Sequence, residues 1–312
     1  MTSTCETHPP AAPSGIEGKR PGTLVLAALE SLRPYQWIKN TLVFVPLAGA
    51  HRLGDIGLLT NALRAFLAFS LCASAVYLIN DLQDAAADRL HPHKRSRPIA
   101  SGRLPPACAV ALIPVLLAGA LAAAWPLGRC AAALALYVAL MVAYSLWLKA
   151  MVLLDAFVLA GGYALRVIAG GLAVSIPPSP RLLAFCIFIF VSLALLKRYA
   201  ELALLRVRDG ANTHARGYLL EDQGFIVSLG IACGTLAVLV LAVYMSSENI
   251  GLLYSRSELI WLTCVLLLYW ISHVWLAAHR GRMTDDPLVF AVKDRTSVAL
   301  ILLMGASAWL AV

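Results

Sequence analysis

Residues 80–102 read NDLQDAAADRLHPHKRSRPIASG, a polar stretch that follows an apolar run. It carries three aspartates, an asparagine, and Arg89, Lys94, Arg95 and Arg97, with Arg103 just beyond. If its first part is helical, Asp81, Asp84 and Asp88 stand at i, i+3 and i+7 and share one narrow stripe, with Asn80 one turn from Asp84. Three carboxylates on one stripe repel one another unless a cation lies between them. A set of oxygen ligands alone favours a hard cation such as Mg²⁺, which keeps waters and bridges to substrate phosphates. The basic residues that follow, Lys94, Arg95 and Arg97, suit the remaining phosphate oxygens. A solvated, positively charged loop between membrane helices would explain the bases but not the aligned acids.

The surroundings are those of a membrane protein. The chain has 312 residues, 60% of them hydrophobic and 13% charged, against roughly 25% charged in ordinary soluble domains. Apolar segments recur at about the ~20 residues needed to cross a bilayer. Nine are expected, near 34–51, 60–82, 107–125, 130–149, 152–174, 181–203, 224–246, 258–279 and 296–312. The fold class is therefore all-α, a polytopic bundle forming a single transmembrane domain over 25–312. Residues 1–24 are rich in Pro, Gly and Ser and lack an apolar core, so they read as a disordered tail and not as a signal peptide.

The formal charge of +8 must be read by location. With the N-terminus inside, nineteen of the 25 Lys and Arg residues fall on inner segments, five on outer ones, and Arg166 within a span. That bias places the 80–102 stretch on the cytoplasmic face of a bacterial-type inner membrane and argues against nucleic acid as the partner. The seven cysteines have no CxxC spacing and read as small buried hydrophobes. There is no GxxxxGK[ST], HExxH or GxSxG, which excludes the common ATP-driven, zinc-protease and serine-hydrolase motifs.

Other polar groups are expected at the same end of the bundle. RPYQWIKN (33–40) offers Lys39 and Asn40 at the start of the first expected span, where Trp37 and Tyr35 also suit an interfacial anchor. Tyr144 and Lys149 close the fourth span and Asp155 opens the fifth. Arg166 follows eleven residues on, some ~16 Å deeper by helical rise, and reads either as a substrate group or as a partner of backbone carbonyls. Gly161, Gly162, Gly170 and Gly171 beside it permit close helix approach. KRYAEL (197–202) supplies Lys197, Arg198, Tyr199 and Glu201, either as a second substrate patch or as a plain Lys197–Glu201 helix pair. Asp286 is placed to cap a helix begun by Pro287.

Asn80-Asp81-x-x-Asp84-x-x-x-Asp88 resembles the first aspartate motif of the UbiA superfamily of intramembrane prenyltransferases. RPYQWIKN, HPHKRSRPIASG, YSLWLK with Asp155, the Tyr163–Arg166 segment with its Ala-Gly-Gly, and KRYAEL resemble the decaprenyl-phosphate phosphoribosyltransferase branch. The resemblance implies a nine-helix bundle with a cytoplasm-facing cavity and Mg²⁺ on Asn80, Asp81, Asp84 and Asp88. It implies transfer of 5-phosphoribose from phosphoribosyl diphosphate to a polyprenyl phosphate, with Lys39 and the aspartates at the reacting centre. In relatives that prenylate aromatic acids a second aspartate-rich motif stands where this chain has KRYAEL. That departure leaves fewer metal ligands and more cations, which suits two phosphate-bearing substrates. A prenyl diphosphate donor with an aromatic or glycerol-phosphate acceptor is the nearest alternative, and a transporter is a more distant one. Isoprenoid length and self-association into a homo-oligomer are left open.

Overall fold

The computed structural model describes residues 21–90, 94–208, 217–246, 254, 256–283 and 286–311, and within these it is helical. Helix α1 (Pro21–Ser31) leads into a 3-10 segment (Pro34–Phe44) and a short α2 (Val45–Gly49). Then come α3 (Ile56–Gln83), α4 (Ala85–Leu90), α5 (Pro106–Ala124), α6 (Arg129–Leu146), α7 (Leu154–Ala173) and α8 (Pro180–Arg208). Helices α9 (Gln223–Met245), α10 (Ser257–His279), α11 (Pro287–Lys293) and α12 (Arg295–Ala311) complete the chain. Residues 21–24, expected in the tail, belong to α1; residues 1–20 lie outside the described residues.

Among the described residues, seven helices are long and apolar enough to cross a membrane, and the apolar α12 has 17 residues. They match the second to the ninth expected spans. The first expected span, 34–51, is corrected: it is no single long helix. Pro34 removes a backbone donor at its start and Pro46 another farther on, and the segment winds as a tight 3-10 stretch before α2. It packs between α3 and α7 and touches α11, so it forms an inner wall.

The long helices pack largely in chain order, α3 on α5 and α6, α6 on α7, α7 on α8, α8 on α9, and α10 on α9 and α12. Outward positions are apolar, including Val110 and Val115 on α5, Leu239 and Val243 on α9, and Leu302 and Leu303 on α12. A soluble protein rarely exposes so continuous an apolar belt, whereas lipid requires one. Close approach is decisive at several glycines, Gly170 and Gly230 among them. A Cβ on Gly170 would overlap the Val43 carbonyl, and one on Gly230 would overlap the Trp275 ring. These positions let α7 meet the 3-10 segment and α9 meet α10 backbone to side chain. Gly161, expected to act likewise, has room for a Cβ.

Helix ends carry polar caps where the sequence supplies them. Asp55 accepts from the Leu58 amide at the start of α3, and Asp286 accepts from the Leu288 amide with Pro287 in the first turn of α11. The capping role expected of Asp286 is thus observed.

Candidate active site

The polar residues gather at one end of the bundle, where α3, α6 and α8 finish and the 3-10 segment and α11 begin. They enclose a cavity of about 260 Å³ lined by Arg33, Lys39, Lys94, Arg97, Arg166 and Lys197, against only two acids, Glu201 and Asp286. Asn80, Tyr77, Tyr137, Tyr144 and Tyr163 complete much of the polar wall. A space with six cations and two carboxylates holds an excess of positive charge in which a polyanion is stabilised.

Residues 80–88 do not form the expected continuous stripe. Helix α3 stops at Gln83, Asp84 is its C-cap, and α4 restarts the chain at Ala85. The acids are held by separate partners as a result. Asp81 accepts from Arg33 Nη2 at 2.5 Å and Arg97 Nη1 at 3.1 Å, and the same Arg97 nitrogen reaches Asp88 at 2.6 Å. Asp84 accepts from Lys149 Nζ at 2.9 Å and from Asn80 Nδ2 at 3.0 Å. Arg33 takes a left-handed backbone, φ 51°, before Pro34, and its guanidinium also lies 5.0 Å from the Tyr77 ring centroid. Left-handed arginines are uncommon.

The oxygen chemistry of Asn80, Asp81, Asp84 and Asp88 suits a hard cation, and in this structure each of the three acids is paired with a basic side chain. Among the described residues no three acid, His or Cys side chains converge on a metal position. Asp81 and Asp88 do converge, but on a guanidinium nitrogen, and Asp84 is turned to Lys149. In this arrangement the acids act as anchors for cations that border the cavity.

Arg166 lies at the inner end of the cavity. Its Nε donates to Asn40 Oδ1 at 2.7 Å, Nη1 to the Gly162 carbonyl at 2.7 Å and Nη2 to the Tyr137 hydroxyl at 2.8 Å. The guanidinium carbon also sits 4.5 Å from the Tyr137 ring centroid. Asn40, itself tied to Ser70, therefore serves Arg166 and does not line the cavity. No ion pair among the described residues includes Arg166, so its charge is held by neutral oxygens and aromatic faces.

Four expected contacts resolve differently. Asp155 and Arg198 are 0% and 1% exposed and form an ion pair with each other, away from the cavity. Tyr218 donates to Asp155 at 2.6 Å, while Arg198 pairs with Glu201 and donates to the Tyr144 hydroxyl at 2.9 Å. This knot fastens α6, α7, α8 and the segment before α9. Glu201 therefore pairs with Arg198 at i−3, and Lys197 turns to Asp286, so no Lys197–Glu201 helix pair forms. Tyr199 faces the opposite side of α8 and bonds to His279 Nδ1 at 2.9 Å in a separate apolar cleft. Arg95 is exposed on the rim.

Asp286 is one of the cavity residues that sequence reasoning missed, with Arg33, Tyr77, Tyr137 and Tyr163, since its capping role sufficed there to explain it. Its carboxylate, 6% exposed, accepts from Lys39 at 2.7 Å and Lys197 at 3.3 Å. A helix cap at the end of a membrane bundle carried no signal of two lysines brought from distant segments. Burial pushes the Asp286 carboxyl up, but Lys39 and Lys197 outweigh it and hold it well below the usual carboxylate range. Such a carboxylate contributes stability above its unfolded pKa of about 3.9 and loses it as pH falls towards the folded value. Between about pH 5 and pH 3, Asp286→Asn, which keeps the cap, should lose on the order of 1 kcal/mol less stability than the parent protein. Thermal unfolding in detergent checks this; equal slopes for the two proteins would remove the linkage.

A bundle of membrane-length apolar helices with a cation-rich cavity at one end is the architecture of a multi-pass membrane protein that receives an anionic ligand at one face. Residues 41–293 match the UbiA prenyltransferase family, and the chain belongs to it. It is 39% identical over 275 residues to the nodulation protein NoeC of Azorhizobium caulinodans, covering 88% of this chain and 89% of that protein. It is 36% identical over 299 residues to decaprenyl-phosphate phosphoribosyltransferase of Mycobacterium tuberculosis, covering 93% and 94%. Among solved structures it resembles a UbiA homolog from Archaeoglobus fulgidus bound to GPP and Mg²⁺. That likeness has a TM-score of 0.66 at 17% identity over 91% of this chain and 99% of the other. The protein is thus a membrane-embedded transferase of this family.

Proposed function

We propose that this protein transfers 5-phosphoribose from phosphoribosyl diphosphate to a polyprenyl phosphate, releasing diphosphate. The observation that carries the reading is the charge of the cavity, six cations to two acids. A neutral aromatic acceptor leaves most of that charge unused, whereas two phosphorylated substrates match it. The relationship to the M. tuberculosis phosphoribosyltransferase supports the same choice. An apolar cleft of about 420 Å³ is walled by Ile38, Leu42, Phe190, Leu193, Leu288, Val292 and Met304, with the cavity-lining Lys39 next in sequence to Ile38, and it suits an isoprenoid tail.

In this reading the donor's phosphates lie among Arg33, Lys94 and Arg97, which stabilise negative charge as diphosphate departs. Positive charge then grows at ribose C1, and the lipid phosphate oxygen attacks from the opposite face. The acceptor is already ionised at neutral pH, so no strong base is needed. The A. fulgidus relative holds Mg²⁺, and a Mg²⁺ requirement is proposed here from the oxygen chemistry of Asn80, Asp81, Asp84 and Asp88. The acids' present pairing with arginine and lysine assigns it no step. The proposed setting is a bacterial-type inner membrane with the cavity facing the cytoplasm.

The deciding assay incubates purified protein with radiolabelled phosphoribosyl diphosphate and undecaprenyl phosphate, with Mg²⁺ and with EDTA. Label in the lipid fraction only with Mg²⁺ is the expected result. No lipid label, together with transfer from geranyl diphosphate to an aromatic or glycerol-phosphate acceptor, would give the protein the other chemistry of its family.

A further inference from the structure

We infer that Lys39, Lys197 and Asp286 form the subsite for the acceptor's phosphate, with the Asp286 carboxylate as a displaceable internal counter-ion. The inference rests on the proposed phosphorylated lipid acceptor and assigns its headgroup a place. Asp286 holds both lysines, Lys39 Nζ at 2.7 Å and Lys197 Nζ at 3.3 Å. Two ammonium groups gathered on one carboxylate leave the cluster one positive charge in excess, and Arg166 adds another deeper in the same cavity. A phosphate monoester brings close to two negative charges and three acceptor oxygens, enough to engage both lysines at once.

The position of the cluster selects the lipid over the donor. Lys39 and Asp286 line the polar cavity, while Ile38 and Leu288, one and two residues away in sequence, line the apolar cleft. On α8 the cleft-lining Leu193 lies one helical turn before Lys197, on the same face. Three separate elements, the 3-10 segment, α8 and α11, thus pass from apolar wall to charged group at the same boundary. An amphiphile with its tail in the cleft has its headgroup at this cluster. The second cation group, Arg33 and Arg97, is anchored to Asp81 and Asp88 on α3 and α4 and borders the cavity without lining the cleft.

The test is equilibrium binding to the purified full-length protein in nanodiscs, with undecaprenyl phosphate, undecaprenol and phosphoribosyl diphosphate as separate probes. The parent protein should bind undecaprenyl phosphate at least about tenfold tighter than undecaprenol. Lys197→Met should remove most of that preference and leave phosphoribosyl diphosphate affinity within about twofold. Asp286→Asn keeps the α11 cap and should bind undecaprenyl phosphate several-fold tighter, because no internal carboxylate competes. Weaker binding by Asp286→Asn overturns the counter-ion role. Loss of phosphoribosyl diphosphate affinity in Lys197→Met, with undecaprenyl phosphate unaffected, gives the cluster to the donor and overturns the subsite. These readouts need no turnover. Phosphate-selective lipid binding without phosphoribose transfer would therefore refute the proposed reaction while keeping the subsite, and transfer unimpaired in Lys197→Met would do the reverse.

Discussion

Replacing Asp155 with alanine is expected to destabilise the protein by ~3–5 kcal/mol, the cost of leaving one partner of a buried ion pair behind. Arg198 is 1% exposed and would retain its charge beside Glu201, whose side chain is 34% exposed and reaches water. Tyr218 would lose its carboxylate acceptor as well. A double variant, Asp155→Leu with Arg198→Met, should recover part of the loss, because no bare charge remains inside the bundle. Thermal unfolding in detergent, read beside substrate binding, separates the two roles open to Asp155. If Asp155→Ala keeps the parent Tm but no longer binds substrate, Asp155 contacts substrate and the structural knot is refuted.

The second large effect is expected at Arg97. Its guanidinium alone bridges Asp81 and Asp88 and lines the cavity. Arg97→Met should lower kcat/KM for phosphoribose transfer by ~10²–10³, the usual loss when a fixed donor to developing negative charge is removed. Asp81 keeps Arg33, while Asp88 loses its ion pair, so some stability should go too. Arg95→Met, two residues away on the exposed rim, should change kcat/KM by no more than about threefold, in line with surface substitutions generally. Equal losses in the two variants would mean that a diffuse basic loop, and not a placed guanidinium, serves the substrate.

The contrast between Arg95 and Arg97 shows how far the sequence could be read. Both stand in one basic run and both suit a phosphate. The turn at 94–96 sends Arg97 inward, to acids nine and sixteen residues earlier. Asp81, Asp84 and Asp88 have helical spacing, and the break at Asp84 cannot be read from spacing alone. Arg33, six residues before Lys39, the first expected site residue, belongs in sequence to an interfacial motif, yet it reaches Asp81. Tyr137, inside the expected span 130–149, holds Arg166.

The chain alone determined the membrane bundle, because lipid demands ~20-residue apolar runs and admits few charges within them. It also located the polar end, since charged side chains excluded from lipid must collect beyond the spans. Tertiary structure decided which of those charges line the cavity. Asp155 and Arg198 look like Lys39 and Lys197 in sequence, but they close on each other as the helices pack and do not line the cavity. Asp286 looked like a cap and became the meeting point of two lysines 247 and 89 residues away. In the structure the acids at 81, 84 and 88 pair with arginine and lysine along the cavity, a set of partners their spacing does not announce. Pairing between charges is a matter of distance in space, and periodicity reports only distance along one helix.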